Sequence, residues 1–167
     1  MKKFLYLIII LNSFVTLKAD TEEPKKPRSL GELSCTIGTA VLFYHAGCSV
    51  AGYFHPNINL GLRYTESIMI WGGSGYIPSL LTLLTIYPFK GTFYIDIELG
   101  GYYAPPYQGY RSMRDIIYYP EVYGGAFGFH MGNRWIVYKN LFLGINYLGF
   151  TYPTDAVLIG FELGYRF

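Results

Sequence analysis

Hydrophobic and polar residues alternate along most of this chain. In the last eleven residues, Val157, Ile159, Phe161, Leu163, Tyr165 and Phe167 share one face. Leu158, Gly160, Glu162, Gly164 and Arg166 share the other. A period of two over that length predicts a β-strand. The same split sets Phe93, Ile95, Ile97 and Leu99 against Tyr94, Asp96, Glu98 and Gly100. It sets Tyr123, Gly125, Phe127, Phe129 and Met131 against Gly124, Ala126, Gly128, His130, Gly132 and Arg134. Leu141, Leu143, Ile145 and Tyr147 oppose Gly144, Asn146 and Leu148, and Ile58, Leu60, Leu62 and Tyr64 oppose Asn59, Gly61, Arg63 and Thr65.

The polar faces decide what kind of β-protein this is. A soluble sheet packs its bulky face inward and shows Lys, Glu and Thr to water. Here the polar face is mostly glycine with isolated charges, which would weaken a solvated surface for no gain. A narrow eight-stranded barrel has little interior volume, so glycine and a few paired charges fit inside it. The large aliphatic and aromatic side chains then face lipid. The expected strands are 34–44, 49–54, 58–70, 79–87, 92–103, 119–135, 141–152 and 157–167. Residues 34–54 also read as one long bent strand, with a bulge near Ala46-Gly47. An even count favours two strands, and hence an eight-stranded antiparallel up-and-down transmembrane β-barrel. Short turns at 55–57, 88–91 and 136–140 lie at the end holding both termini, and long loops at 71–78 and 104–118 lie at the other. Aromatic residues crowd the strand ends, as interfacial belts require.

The first nineteen residues are different. Met1-Lys2-Lys3, an apolar run from Phe4 to Val15, and Leu17-Lys18-Ala19 form a secretory signal pattern, with cleavage expected after Ala19. Residues 20–33 read as a charged, proline-containing periplasmic linker, and residues 34–167 as the barrel. The expected location is therefore the outer membrane of a diderm bacterium. From Ser34 onward 7 basic residues balance 7 acidic ones, with no basic stripe to hold nucleic acid.

The ending Gly-Tyr-Arg-Phe at 164–167 resembles the small outer-membrane barrels of the OmpA and OmpX type, although Gly160 departs from the usual spacing. The resemblance covers about 33–167 and is architectural. It implies that Leu163, Tyr165 and Phe167 carry the recognition signal for the barrel assembly machinery. Tyr-Pro-Phe with Thr-Phe (87–93), and Gly-Asn-Arg-Trp (132–135), resemble segments of uncharacterised small outer-membrane proteins, which bring no activity.

The chemistry on offer is sparse. Lipid-modifying barrel enzymes need a His with Ser or Asp near the membrane surface. His55 falls in a turn, His45 at an outer loop with only Ser49 nearby, and His130 on the interior face. No catalytic residue, metal site or cofactor is expected. Arg63, Asp96, Glu98, His130, Arg134, Asn146, Glu162 and Arg166 are expected to form an interior polar network, since charges in so narrow a lumen must pair. Turns centred at 136–140 and 153–156 would align His130, Asn146 and Glu162 in one row. The expected first hairpin holds Cys35 and Cys48 too far apart for a disulfide, which a turn elsewhere would change. Tyr107, Tyr110, Arg111, Arg114 and Tyr118 form a candidate ligand-contact loop, because Tyr and Arg favour binding hot spots. The leading function is a non-enzymatic envelope barrel, in contact with membrane lipid, that supports the envelope or presents its loops to an extracellular ligand or host molecule. A narrow pore for small solutes is the alternative, and a lipid-modifying enzyme ranks below both.

Overall fold

Strands that are greasy on one face and glycine-rich on the other satisfy both faces only by closing on themselves. The computed structural model describes residues 30–39, 43–69, 75–89, 92–110, 116–152 and 159–167. Their strands are β1 (Gly31–Thr39), β2 (Phe43–His55), β3 (Ile58–Met69), β4 (Tyr76–Ile86), β5 (Phe93–Ala104), β6 (Tyr107–Tyr110), β7 (Ile116–Tyr119), β8 (Val122–Tyr138), β9 (Leu141–Tyr152) and β10 (Ile159–Arg166). Eight close into a barrel in the order β1-β10-β9-β8-β5-β4-β3-β2, and β6 and β7 form a separate two-stranded hairpin between β5 and β8. The seam joins the two ends of the chain: Phe167 N–H donates to the Gly31 carbonyl at 3.0 Å, and Gly31 N–H donates back at 3.1 Å. Every backbone edge of the barrel is thereby paired, as a lipid environment demands.

Burial is inside out. Leu80, Leu99 and Phe161 are 58%, 62% and 63% exposed, whereas Asp96, Glu98 and Glu162 are at most 2% exposed. A water-soluble protein keeps most of its charged side chains outside and buries its large aliphatic ones, the reverse of this arrangement. The apolar face is the lipid face, and the fold is a transmembrane barrel.

Several boundaries differ from the sequence reading. β1 ends at Thr39 and β2 begins at Phe43, in place of an expected first strand ending at 44 and second beginning at 49, so residues 34–54 hold two strands, and Ala46-Gly47 lies within β2. This aligns Cys35 directly with Cys48, and the two form a disulfide. The expectation that they lie too far apart is overturned by the register of β1 against β2. β1 also starts at Gly31, which takes residues 31–33 out of the expected linker. β8 runs on to Tyr138, leaving the two-residue turn Lys139-Asn140. Part of the expected 104–118 loop is instead the β6–β7 hairpin. The signal segment, the cleavage site after Ala19, the linker up to residue 29 and the turn at 153–156 lie outside the described residues.

Candidate functional site: a charged lumen and a tyrosine hairpin

Alternation sends every second side chain of each barrel strand into the lumen, so the interior chemistry is set strand by strand. β8 contributes Arg134, the hub. Its Nε and one terminal nitrogen donate to the two oxygens of Glu162 on β10 at 2.7 and 2.9 Å. The other terminal nitrogen donates to Glu32 on β1 at 3.0 Å and to the Tyr87 hydroxyl at 2.7 Å. The guanidinium plane lies over the Tyr94 ring, 3.9 Å from its centroid. A planar fork suits this geometry, and a lysine would not reproduce it.

A second cluster lies beside the first. Arg63 on β3 donates to Asp96 at 3.0 Å and to Glu98, both on β5. Thr85 donates to the remaining oxygen of Asp96 at 2.6 Å, and Arg134 reaches Asp96 at 3.6 Å, tying the clusters together. His130 Nε2 lies 3.1 Å from Thr151 Oγ1 and 3.6 Å from Glu98. Tyr94 donates to the Asn146 amide oxygen. Arg166, half-buried, stands 3.6 Å from Glu32 and beside the Phe142 ring.

All eight residues of the expected network therefore face the lumen, but its internal pairing differs. The row of His130, Asn146 and Glu162 does not form. His130 pairs with Gly149, Asn146 with Gly132 and Gly160, and Glu162 with Gly144. A bulge between Met131 and Gly132, opposite Tyr147, shifts the register and turns Gly149 and Thr151 inward. Glu32, hidden from the sequence reading in the linker, is 2% exposed and bound by Arg134, Tyr53 and Arg166. Alternation of Glu32, Ser34, Thr36 and Gly38 against Leu33, Cys35, Ile37 and Thr39 is the signal that would have found it. The described interior thus holds four carboxylates, Glu32, Asp96, Glu98 and Glu162, against the three guanidiniums of Arg63, Arg134 and Arg166.

The lumen makes room for these side chains by setting glycine opposite them. Phe142 faces Gly164, Tyr94 faces Gly132, Glu98 faces Gly128 and Glu162 faces Gly144. A Cβ at Gly164 would fall on the Phe142 ring. Gly164→Val is expected to destabilise the barrel by about 1–3 kcal/mol through overpacking, read as a lower urea midpoint. A midpoint equal to wild type would show that the lumen has slack.

Tyr94 and Phe142 are 0% exposed, and Arg134 3%. Among the described residues these three pack into the lumen at one level with almost no surface left to water. Toward the loop end lies a cavity of about 40 Å³ lined by Arg63, Glu98, His45, His130, Thr65 and Thr151, with space for a water or two. His45 is not at a loop: it faces inward on β2, and its Nδ1 lies 2.7 Å from Ser67 Oγ, not beside Ser49. That pair is buried in the lumen. His55 accepts the Asn57 N–H at 3.3 Å, a turn interaction.

The β6–β7 hairpin carries the candidate contact surface. Tyr107 and Tyr119 stack with centroids 4.6 Å apart, and Tyr118 is 72% exposed. A cleft of about 240 Å³ separates the hairpin from the barrel rim, lined by Tyr76, Ile77, Tyr102, Pro105, Tyr107 and Pro120. The backbone of Tyr110 pairs with Ile116. Arg111 and Arg114 lie outside the described residues. Leu163, Tyr165 and Phe167 form an exposed outward row on the last strand.

No protein-family model matches the chain, and no curated protein matches it in sequence. Solved structures do match in shape. The N-terminal β-barrel domain of Pseudomonas aeruginosa OprF superposes with a TM-score of 0.57 at 15% identity, covering 82% of this chain and 96% of that one. Neisserial surface protein A gives 0.51 at 9% identity, covering 82% and 94%. Ail of Yersinia pestis, in complex with the heparin analogue sucrose octasulfate, gives 0.51 at 12% identity, covering 82% and 99%. The fold is that of the small outer-membrane barrels; at such identities the likeness extends to fold alone.

Proposed function

We propose that this chain is exported to the outer membrane of a diderm bacterium. There it acts as a closed, non-enzymatic barrel that anchors in lipid and presents its hairpin end to the exterior. The observation that carries this reading is the packing of the lumen: Arg134, Glu162, Tyr94 and Phe142 meet at one level and are each at most 3% exposed. A barrel filled in this way acts through its surfaces. The exposed surface with binding character is the tyrosine hairpin, and Tyr and Arg give large contact areas at low entropic cost. Ail, a protein of the same fold, forms a complex with a heparin analogue, which supports an extracellular ligand or host molecule as the partner here.

Planar bilayers test the reading directly. The purified, folded protein is expected to give no steady single-channel current at 1 M salt. Reproducible unit conductance would favour the narrow pore instead.

The C-terminal row supports a second expectation, recognition by the barrel assembly machinery through Leu163, Tyr165 and Phe167. Phe167→Asp keeps the backbone pairs to Gly31 and removes only the aromatic ring. Folded, heat-modifiable protein is expected to fall several-fold in cells, with degradation products rising. If only deletion of Phe167 lowers the level and Phe167→Asp assembles normally, then seam closure matters and the aromatic signal does not.

A further inference from the structure

The disulfide lies on the wrong side of the barrel for ordinary redox chemistry. Cys35 and Cys48 are directly opposed on β1 and β2, and both side chains are exposed on the outward face. Their outward neighbours are Leu33, Ile37, Val50, Leu163 and Tyr64, all at least 47% exposed and apolar or aromatic. Cys35 stands four residues above the first residue of β1, and Cys48 seven below the last of β2. At ~3.3 Å per residue and a tilt of ~40°, they sit roughly 10–18 Å above the terminal end, within the ~25 Å apolar band of such barrels.

Thiol–disulfide exchange proceeds through a thiolate. An ionised sulfur in hydrocarbon is prohibitively costly, and a water-soluble oxidant protein cannot dock on a lipid-covered face. The bond is therefore neither made nor broken once the barrel is inserted.

We propose that Cys35 and Cys48 are oxidised in the periplasm before insertion, by exchange with the disulfide of a periplasmic dithiol oxidase. One thiolate attacks the oxidase disulfide and releases its partner sulfur as a thiolate. The second cysteine then attacks the mixed disulfide. The chain loses two electrons and two protons and gains one S–S bond, and the oxidase leaves as the dithiol. The first hairpin thus reaches the membrane already locked in register. A one-residue slip would turn Glu32 and Ser34 toward lipid, and the covalent clip removes that option. The proposal rests on the export proposed above.

Pulse-labelled cells, quenched in acid and treated with a thiol-alkylating mass tag, order the events on non-reducing gels. The expected result is that signal-cleaved chains that are not yet heat-modifiable already resist the tag. Tagged thiols in those chains, with resistance appearing only in the folded form, would overturn the order. Uncleaved chain retained in the cytoplasm with both thiols tagged would overturn export and, with it, this proposal. A second measurement uses folded protein in phosphatidylcholine vesicles with the charged reductant tris(2-carboxyethyl)phosphine. The disulfide is expected to survive at least tenfold longer there than in urea-unfolded protein. Equal reduction rates would show that the bond is open to water, and would remove the reason for oxidation before insertion.

Discussion

Replacing Arg134 by alanine is expected to lower the unfolding free energy of the barrel by about 3–5 kcal/mol, the cost of removing one partner from a buried ionic cluster. Arg134 satisfies Glu162 at both oxygens and Glu32 at one. Without it, Glu162, 2% exposed, loses its bidentate partner, and Glu32 keeps Tyr53 and the more distant Arg166. Arg134→Lys is expected to recover little, because an ammonium is a point donor and cannot engage Glu162, Glu32 and Tyr87 together. Glu162→Gln should cost less than Glu162→Ala, since the amide still offers Arg134 an acceptor. The double variant Arg134→Met with Glu162→Leu should recover part of the loss, because a pair removed together leaves less charge stranded. Urea titration of protein folded in detergent micelles, read by the heat-modifiable gel shift, gives all these values. A loss under about 1 kcal/mol for Arg134→Ala would mean that water reaches the carboxylates and the lumen is not closed.

What the sequence shows about this protein and what it hides follow from one property of β-strands. Side-chain facing depends on parity, and parity survives a two-residue slip. Arg63, Asp96, Glu98, His130, Arg134 and Glu162 were therefore legible as interior residues before their partners were. Pairing depends on register, which is set by turns and bulges that alternation does not mark. The bulge opposite Tyr147 moves Thr151 onto His130 in place of Asn146. Ala46-Gly47 resembles a turn because glycine punctuates chains. Gly47 instead sits within β2, where an added Cβ would meet Thr65. Because β2 begins at Phe43, Cys48 pairs with Cys35 and His45 faces the lumen. Glu32 was obscured by composition, since it follows a run of charges that reads as linker. Tyr87 was legible only as a belt aromatic. Its place beside Arg134 depends on how β4 and β8 sit across the closed lumen, which strand-by-strand reading does not contain.

The disulfide makes a prediction separate from its timing. Changing both Cys35 and Cys48 to alanine is expected to lower the unfolding free energy by about 3 kcal/mol, the loop-closure entropy of a ring of this size. The two cysteines are 13 residues apart in sequence. Alanine suits the site because the side chains face lipid, so the change opens no cavity in the packed lumen and strands no polar group. The loss therefore acts on the unfolded chain, which gains freedom, rather than on contacts of the folded barrel. Wild-type protein unfolded in urea, reduced and refolded with its thiols kept reduced should match the double variant. Oxidised wild type should exceed both. If the double variant and the oxidised protein share one urea midpoint, the hairpin is ordered in the unfolded state without its clip. If the variant falls below the reduced wild type, the lost stability lies in contacts made by the sulfur atoms and not in the covalent ring. Because β1 also closes the seam with β10 through eight paired residues, the weakened hairpin should open first. Hydrogen exchange in the double variant is expected to accelerate along β1 before it does along β5 or β8. Uniform acceleration around the barrel would show that closure is lost all at once.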